Sequence, residues 1–163
     1  MTTNNAHHLE NLRSIREELF QILEGMDYCL DWKADADTWS VKEVICHLLD
    51  TPPSGVPGVL EGILSGEIAE FDLWADQSNI SPEKLAWDID EVKAQLNGYF
   101  QRLEDALGAA AGVDLASKQI MVHQRNRHWD EPRPVEWLVE RLFAGHWREH
   151  LVQLREIRET LGV

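Results

Sequence analysis

Hydrophobic residues recur in steps of three and four along four long stretches of the chain. This spacing places apolar side chains on one face of an α-helix, so each stretch predicts an amphipathic helix. The first runs from about Ala6 to Leu30, and the second begins after Trp39. The third runs from Ser81 to Gly108, and the fourth follows Pro134 and ends near Leu161.

Several helix ends carry recognisable capping residues. Ser40, followed three residues later by Glu43, predicts a capping box at the start of the second helix. Ser81-Pro82 combines an N-cap with a proline at the first helical position. The proline-rich segment Thr51–Gly58 must break or kink the second helix, which could resume over Val59–Ile68.

Four amphipathic helices without a convincing sheet predict an all-α fold, a single four-helix-bundle domain over residues 1–163. The connections after the second and third helices are long for an up-down-up-down bundle, which favours crossover connections. Ala109–Arg133 connects the third and fourth helices. Within it Lys118–His123 could form a short strand, but that signal is too weak to change the predicted fold class.

The segment His146-Trp147-Arg148-Glu149-His150 carries the clearest chemical signal. Histidines four residues apart lie one turn apart on the same helical face, so both imidazoles can reach one metal ion. At about 100° per residue, both also lie near the centre of the apolar arc of the fourth helix. A buried imidazole needs a hydrogen-bond partner or a metal.

His47 lies at the border of the apolar arc of the second helix and could complete the pair. Three imidazoles that leave a coordination position open are typical of a catalytic metal site. The predicted metal ligands are therefore His47, His146 and His150. The alternative reading, in which the chain binds no metal, makes them polar core residues satisfied by neighbouring side chains.

The segment from His146 to His150 also matches the H-x-x-E-H pattern of inverted zinc proteases, with Glu149 as the general base. We reject this interpretation because those enzymes take a further acidic ligand far downstream. Glu149 also points about 100° away from His150. Glu149 is better interpreted as a solvated residue or as one that hydrogen-bonds to a metal-binding side chain.

Some of the remaining polar residues have both a structural and a functional interpretation. Glu43 could orient His47, although the capping box already explains it. Asp50 could accept the spare ring N–H of His47, or it could be an exposed carboxylate at the helix end. His7 and His8 are adjacent on the first helix and are predicted to be solvated.

The net charge of −14, from 15 basic and 29 acidic residues, argues against binding to nucleic acid or to an anionic membrane. The densest basic stretch, Arg125 to Arg133, is predicted to be a local feature of a loop. No stretch approaches the roughly 18 apolar residues of a membrane span, and the N-terminus lacks a signal-peptide pattern. We therefore expect a cytoplasmic protein.

Three parts of the sequence resemble the DinB-like superfamily. The stretch from Trp39 to Asp50 is similar to the second-helix signature of that family, in which a tryptophan and a cap precede a histidine. Pro134 to His150 is similar to its last helix with paired histidines. Phe71 to Asp76 resembles the approach to its third helix. The similarity covers most of the chain, and the histidine triad is its specific part.

The resemblance implies a four-helix bundle with a crossover, a site for zinc or nickel, and a homodimer. Carried over onto this sequence, the metal ligands are His47, His146 and His150. The family includes thiol-dependent transferases and proteins regarded as metal-dependent hydrolases, so a small-molecule substrate or a low-molecular-weight thiol is expected. The alternative is a non-catalytic bundle that binds a metal or a small ligand, as a stress-response or interaction module. Thr51–Gly58 departs from the longer second helix of the family and leaves the pocket shape open.

Overall fold

The computed structural model describes residues 3–163. Met1 and Thr2 lie outside the described residues; they belong to the N-terminal stretch in which the sequence shows no signal-peptide pattern. The described chain contains α-helices, one π-helical segment and three short strands. The helices are α1 Thr3–Leu23, α2 Val41–Leu49, α3 Gly55–Ser65, α4 Pro82–Leu85, α5 Ile89–Ala109 and α6 His146–Leu161, with the π-helix over Leu138–Gly145. The strands are β1 Glu70–Leu73, β2 Gln119–Gln124 and β3 Trp129–Pro134.

Four of the helices enclose the main core. Helix α1 packs against α5 and α6, and α2 packs against the same two, so the four contact one another in a ring. Helix α3 and the π-helical segment pack against each other beside this ring. None of the described helices is both long enough and apolar enough to cross a membrane.

The predicted helix starts are confirmed where they depended on capping chemistry. The Ser40 hydroxyl accepts a hydrogen bond from the Glu43 backbone N–H, and the Glu43 carboxylate accepts one from the Ser40 N–H, which completes the capping box. The Ser81 side chain caps α4 by accepting a hydrogen bond from the Lys84 N–H, without the reciprocal bond of a capping box. Capping residues act within one turn, so the sequence alone determines these starts.

Two helices end earlier than their hydrophobic pattern predicts. Helix α1 stops at Leu23 and not at Leu30, because Gly25 adopts a left-handed conformation with φ +79°. The expected third helix is divided into α4 and α5. Asp88 accepts a hydrogen bond from the Glu91 N–H and so begins α5 as a separate helix.

A three-stranded mixed sheet shows that the predicted all-α four-helix bundle is wrong as a description of the whole chain. Strand β2 is central; β1 pairs with it in parallel and β3 in antiparallel orientation. Phe71, Leu73, Ile120 and Val122 turn their side chains into the core. Lys118–His123, which could form a strand, overlaps β2, whereas β1 and β3 were not predicted.

The strands escaped prediction because their patterns are short or unfavourable. Strand β1 has four residues, which allow only two alternations of buried and exposed positions. Strand β3 contains Pro132 and Pro134, and proline is normally absent from strands because it cannot donate to the ladder. Strand β3 lies at the edge of the sheet, where proline is tolerated. The basic stretch Arg125–Arg133, predicted to be a loop, therefore spans the β2–β3 turn and most of β3.

The fourth predicted helix begins with a π-helical segment directly before the paired histidines. Leu138–Gly145 has the wider π geometry, and α6 continues from His146 without a break. A π-helical turn holds more residues than an α-helical turn and often occurs at functional sites. The side chains that share a helical face with His146 therefore differ, before His146, from those that a continuous α-helix would place there.

Candidate metal centre

The three predicted ligands come together at the contact between α2 and α6. His47 lies in the last turn of α2, and His146 and His150 lie in the first turns of α6. The Nε2 atom of His146 is 3.0 Å from Nε2 of His47 and 3.1 Å from Nε2 of His150. The sequence thus predicted a group of side chains that the structure brings together from two elements.

The spacing of these nitrogens fits a single metal ion. Three nitrogens each about 2.0–2.1 Å from one ion are about 3.3 Å apart at tetrahedral angles and about 2.9 Å apart at right angles. The observed distances of 3.0 and 3.1 Å lie between these limits. The ligand atoms of all three histidines lie within 4.8 Å of one another.

Hydrogen bonds at the far side of two rings determine which nitrogen carries the proton. The Nδ1–H of His47 donates to the main-chain carbonyl of Gln77 at 2.6 Å, and the Thr51 hydroxyl lies 3.2 Å from the same nitrogen. The Nδ1–H of His150 donates to the side-chain oxygen of Gln153 at 2.7 Å. With the proton on Nδ1, each Nε2 keeps its lone pair for a metal.

His146 differs from the other two ligands. Its Nδ1 is buried without a hydrogen bond of regular geometry, although the main-chain carbonyl of Leu142 interacts with the ring. Burial, with the neighbouring His150 and His47 rings, lowers the pKa of His146 to about 4. Burial also lowers the pKa of His47, against an opposing contribution from the Gln77 carbonyl. At neutral pH both rings are uncharged, the form that binds a metal.

An aromatic wall and an open pocket border the histidines. The Trp39 ring lies 4.9 Å from that of His47 and stacks near His150 at 6.4 Å. A pocket of about 370 Å³ has His146 and Thr51 in its lining. A tryptophan therefore lies against the histidine cluster, and a cavity large enough for a small molecule borders it at His146.

The three acidic residues considered as supporting groups lie in other places. Glu43 caps α2, as described above. Asp50 forms an ion pair with Lys84 and, among the described residues, makes no hydrogen bond to the His47 ring. Glu149 is exposed and lines the pocket. The ring N–H groups are held instead by Gln77 and Gln153.

These two glutamines differ in how far the sequence could have revealed them. Gln153 follows His150 by three residues on the same helix, a spacing at which side chains meet, so its role was open to prediction. Gln77 acts through its main-chain carbonyl, which every residue type has. No pattern of side chains could have indicated it.

A second group of potential ligands was missed by the sequence analysis. His8 was predicted to be solvated, but its side chain is buried and its Nε2 lies 3.1 Å from a carboxylate oxygen of Glu136. Glu140, which is exposed, completes the group. His7 is exposed, as predicted. The apolar spacing could have indicated the burial of His8, because it lies four residues before Leu12 and seven before Ile15, on the same helical face. His7 lies about 100° away from that face.

Comparisons with protein-family models, with curated proteins and with solved structures find no match for this chain. The resemblance to the DinB-like superfamily stays a prediction from the sequence. The functional argument therefore depends on the geometry of the three histidines and of the pocket beside them.

Proposed function

We propose that the protein binds one divalent metal ion, zinc or nickel, through His47, His146 and His150. We further propose that it acts as a metal-dependent enzyme of the thiol-transferase or hydrolase class. The observation that carries the proposal is the convergence of three Nε2 atoms at 3.0 and 3.1 Å separations from His146. Zinc and nickel are proposed because both accept imidazole ligands readily.

The protonation of the histidines supports metal binding over a simple hydrogen-bonded cluster. With their protons on Nδ1, His47 and His150 can only accept at Nε2. A neutral His146 ring has one N–H and can donate it to only one of these two Nε2 atoms. The lone pair of the other Nε2 then has no hydrogen-bond donor. A cation between the three rings satisfies all of them together.

A catalytic role, as opposed to a purely structural one, is supported by the number of ligands. Within residues 3–163, the ligand group around His146 contains the three histidines and no cysteine or carboxylate. Three protein ligands leave a position for substrate, whereas structural zinc sites usually have four. A divalent ion held here would lower the pKa of a water or thiol that reaches it.

The residues around the site would hold and orient the ligands and exclude water. Gln77 and Gln153 keep the protons of His47 and His150 away from the centre. The half-buried Trp39 shields one side of the cluster. A substrate would enter from the pocket lined by His146, where small molecules of the size of a thiol conjugate can fit.

The proposal is tested by assaying zinc- and nickel-loaded protein against panels of thiol–electrophile pairs and activated esters. His150→Ala should abolish turnover, and His7→Ala, which changes an exposed histidine, should retain it. Turnover by the parent that survives in His150→Ala would contradict the proposal. Full metal loading with no turnover on any panel would favour the non-catalytic metal-binding bundle.

A further inference from the structure

The pocket beside the metal centre has an unusual charge for this protein. The chain as a whole has 15 basic and 29 acidic residues. The pocket lining reverses that ratio: it contains Arg127, Arg133 and Arg141 but a single carboxylate, that of Glu149. Positive charge concentrated in a concave surface attracts anionic ligands locally, in this case against the negative net charge of the chain.

The arginines come from three different places in the fold. Arg127 lies in the turn between β2 and β3, Arg133 lies on β3, and Arg141 lies in the π-helical segment. The antiparallel pairing of β2 with β3 places the first two on one hairpin, and both line the same pocket as His146. The sheet therefore turns a basic stretch that looks like a loop in the sequence into one wall of this pocket.

Aromatic rings support two of the guanidinium groups. Arg133 lies 5.3 Å from the centre of the Trp137 ring, and Arg127 lies 5.5 Å from that of Trp129. Stacking on a ring orients a guanidinium group while its N–H donors stay available in the plane. Each tryptophan ring thus orients its guanidinium group and does not neutralise the positive charge of that group.

Arg127 and Arg141 have unused hydrogen-bonding capacity in the described chain, whereas Arg133 is ion-paired with Glu131 and keeps only part of its own. Arg133 donates from Nε and from one terminal nitrogen to Glu131, at 3.0 and 2.8 Å, which leaves other donors of its five. In the described part of the chain, no carboxylate lies within ion-pair distance of Arg127 or Arg141. A ligand oxygen could therefore bind them without displacing a protein partner.

We infer that the pocket binds the acidic group of a small anionic substrate, a carboxylate or a phosphate, whose other end reaches the metal centre at His146. This inference rests on the proposed function, because the metal defines the reacting end. Arginine is suited to both groups, since its planar donors match two oxygens at once. A carboxylate or phosphate also complements the charge of a divalent ion held by neutral histidines.

Matched pairs of thiols test the inference by isothermal titration calorimetry on zinc-loaded protein. The probes are 3-mercaptopropionate and 6-mercaptohexanoate, each paired with the uncharged mercaptoalcohol of the same length. We expect at least one of the acids to bind about tenfold more tightly than its alcohol, and the better chain length reports the distance from the metal to the arginines. Acetate and inorganic phosphate, added as competitors, distinguish a carboxylate preference from a phosphate preference.

Arginine variants assign the effect to the pocket. Arg133→Gln and Arg141→Gln should each reduce the preference for the acid several-fold, with the affinity for the alcohol and the zinc content unchanged. Arg13→Gln removes the same charge from an exposed position on α1 and should leave the preference intact. Equal affinities for acid and alcohol in zinc-loaded protein would overturn the inference alone. Failure of the parent to retain zinc would overturn the proposed function as well.

Discussion

The Nε2 atoms of His47 and His146 lie 3.0 Å apart, although the residues are separated by 99 positions in the chain. Neither α2 nor α6 forms this arrangement alone, so it depends on the packing of the two helices. Two imidazole nitrogens at this distance can share at most one proton if both rings are neutral. The histidine cluster therefore depends on the correct assembly of the helical ring, and changes that loosen this contact should weaken the proposed metal binding.

The contact between His150 and Gln153 should contribute to metal affinity. Gln153→Ala removes the acceptor that holds the His150 Nδ1–H at 2.7 Å. Loss of such a partner typically costs about tenfold or more in affinity, because the ring is no longer held in one orientation and tautomer. We expect the zinc dissociation constant, measured in competition with a chromophoric chelator, to rise about tenfold.

Gln101→Ala is the matched control for this change, because Gln101 is exposed on α5 and pairs with Asp105 on its own helix. Its zinc affinity should equal that of the parent. An unchanged affinity in Gln153→Ala would show that the His150 ring is oriented without this hydrogen bond.

Glu43 should stabilise the start of α2 in a pH-dependent way. Burial alone would raise the pKa of its carboxyl, but the hydrogen bonds and charge of Lys33 and the hydrogen bonds from Ser40 outweigh burial and lower the pKa. A lowered pKa in the folded state means that the carboxylate stabilises the protein above its unfolded-state pKa. That contribution is lost as the pH falls through the folded-state pKa.

Glu43→Gln should therefore lower the free energy of unfolding by about 0.5–1 kcal/mol at pH 7, and the difference from the parent should shrink towards pH 3. Urea unfolding of the metal-free proteins at both pH values measures it. Metal content at pH 7 should not change, since Glu43 caps the helix and does not contact the His47 ring. A difference that grows in acid would contradict this account.

Gly55 should be essential to the turn that follows the histidine helix. Its φ of +71° is in the left-handed region, and an added Cβ would lie 2.8 Å from the main-chain oxygen of Leu49 and 3.0 Å from the Tyr99 ring. Gly55→Ala should lower the free energy of unfolding by at least about 2 kcal/mol. Denaturant unfolding of the metal-free variant measures the loss.

Gly98→Ala provides a matched control within the helix α5. Gly98 is exposed, and an added Cβ would meet nothing within 4 Å. Alanine is favoured over glycine in a helix interior, so this variant should be more stable than the parent by about 0.5–1 kcal/mol. Equal stabilities for Gly55→Ala and Gly98→Ala would show that the turn tolerates a side chain.

The sequence predicted those parts of the fold that depend on interactions within a few residues. The capping box of Ser40 and Glu43 and the four-residue spacing of His146 and His150 are such local features. The boundaries that failed depended on conformations that the pattern does not show, such as the positive φ of Gly25 at the end of α1. The all-α prediction failed for a different reason: the strands are short, β3 contains two prolines, and the partner of β1 lies about 50 positions away in the chain.

The site was predicted only as far as its side chains are distinctive. Histidine is rare on an apolar helix face, which is why the sequence indicated the three candidate ligands before their helices could be placed together. The carbonyl of Gln77 and the pocket arginines depend on tertiary structure. Arg133, in particular, reaches the pocket because a strand with two prolines forms the edge of a sheet. Its place in the pocket could not be predicted while that stretch was considered a loop.

The most direct test is the metal content of the purified protein, determined by elemental analysis after purification without tag or chelator. We expect close to one equivalent of zinc or nickel in the parent and in His7→Ala, and near zero in His47→Ala and His146→Ala. Circular dichroism should confirm that the two ligand variants keep their helical content. A parent that stays metal-free after incubation with zinc and nickel would contradict the account, as would variants that retain the full equivalent.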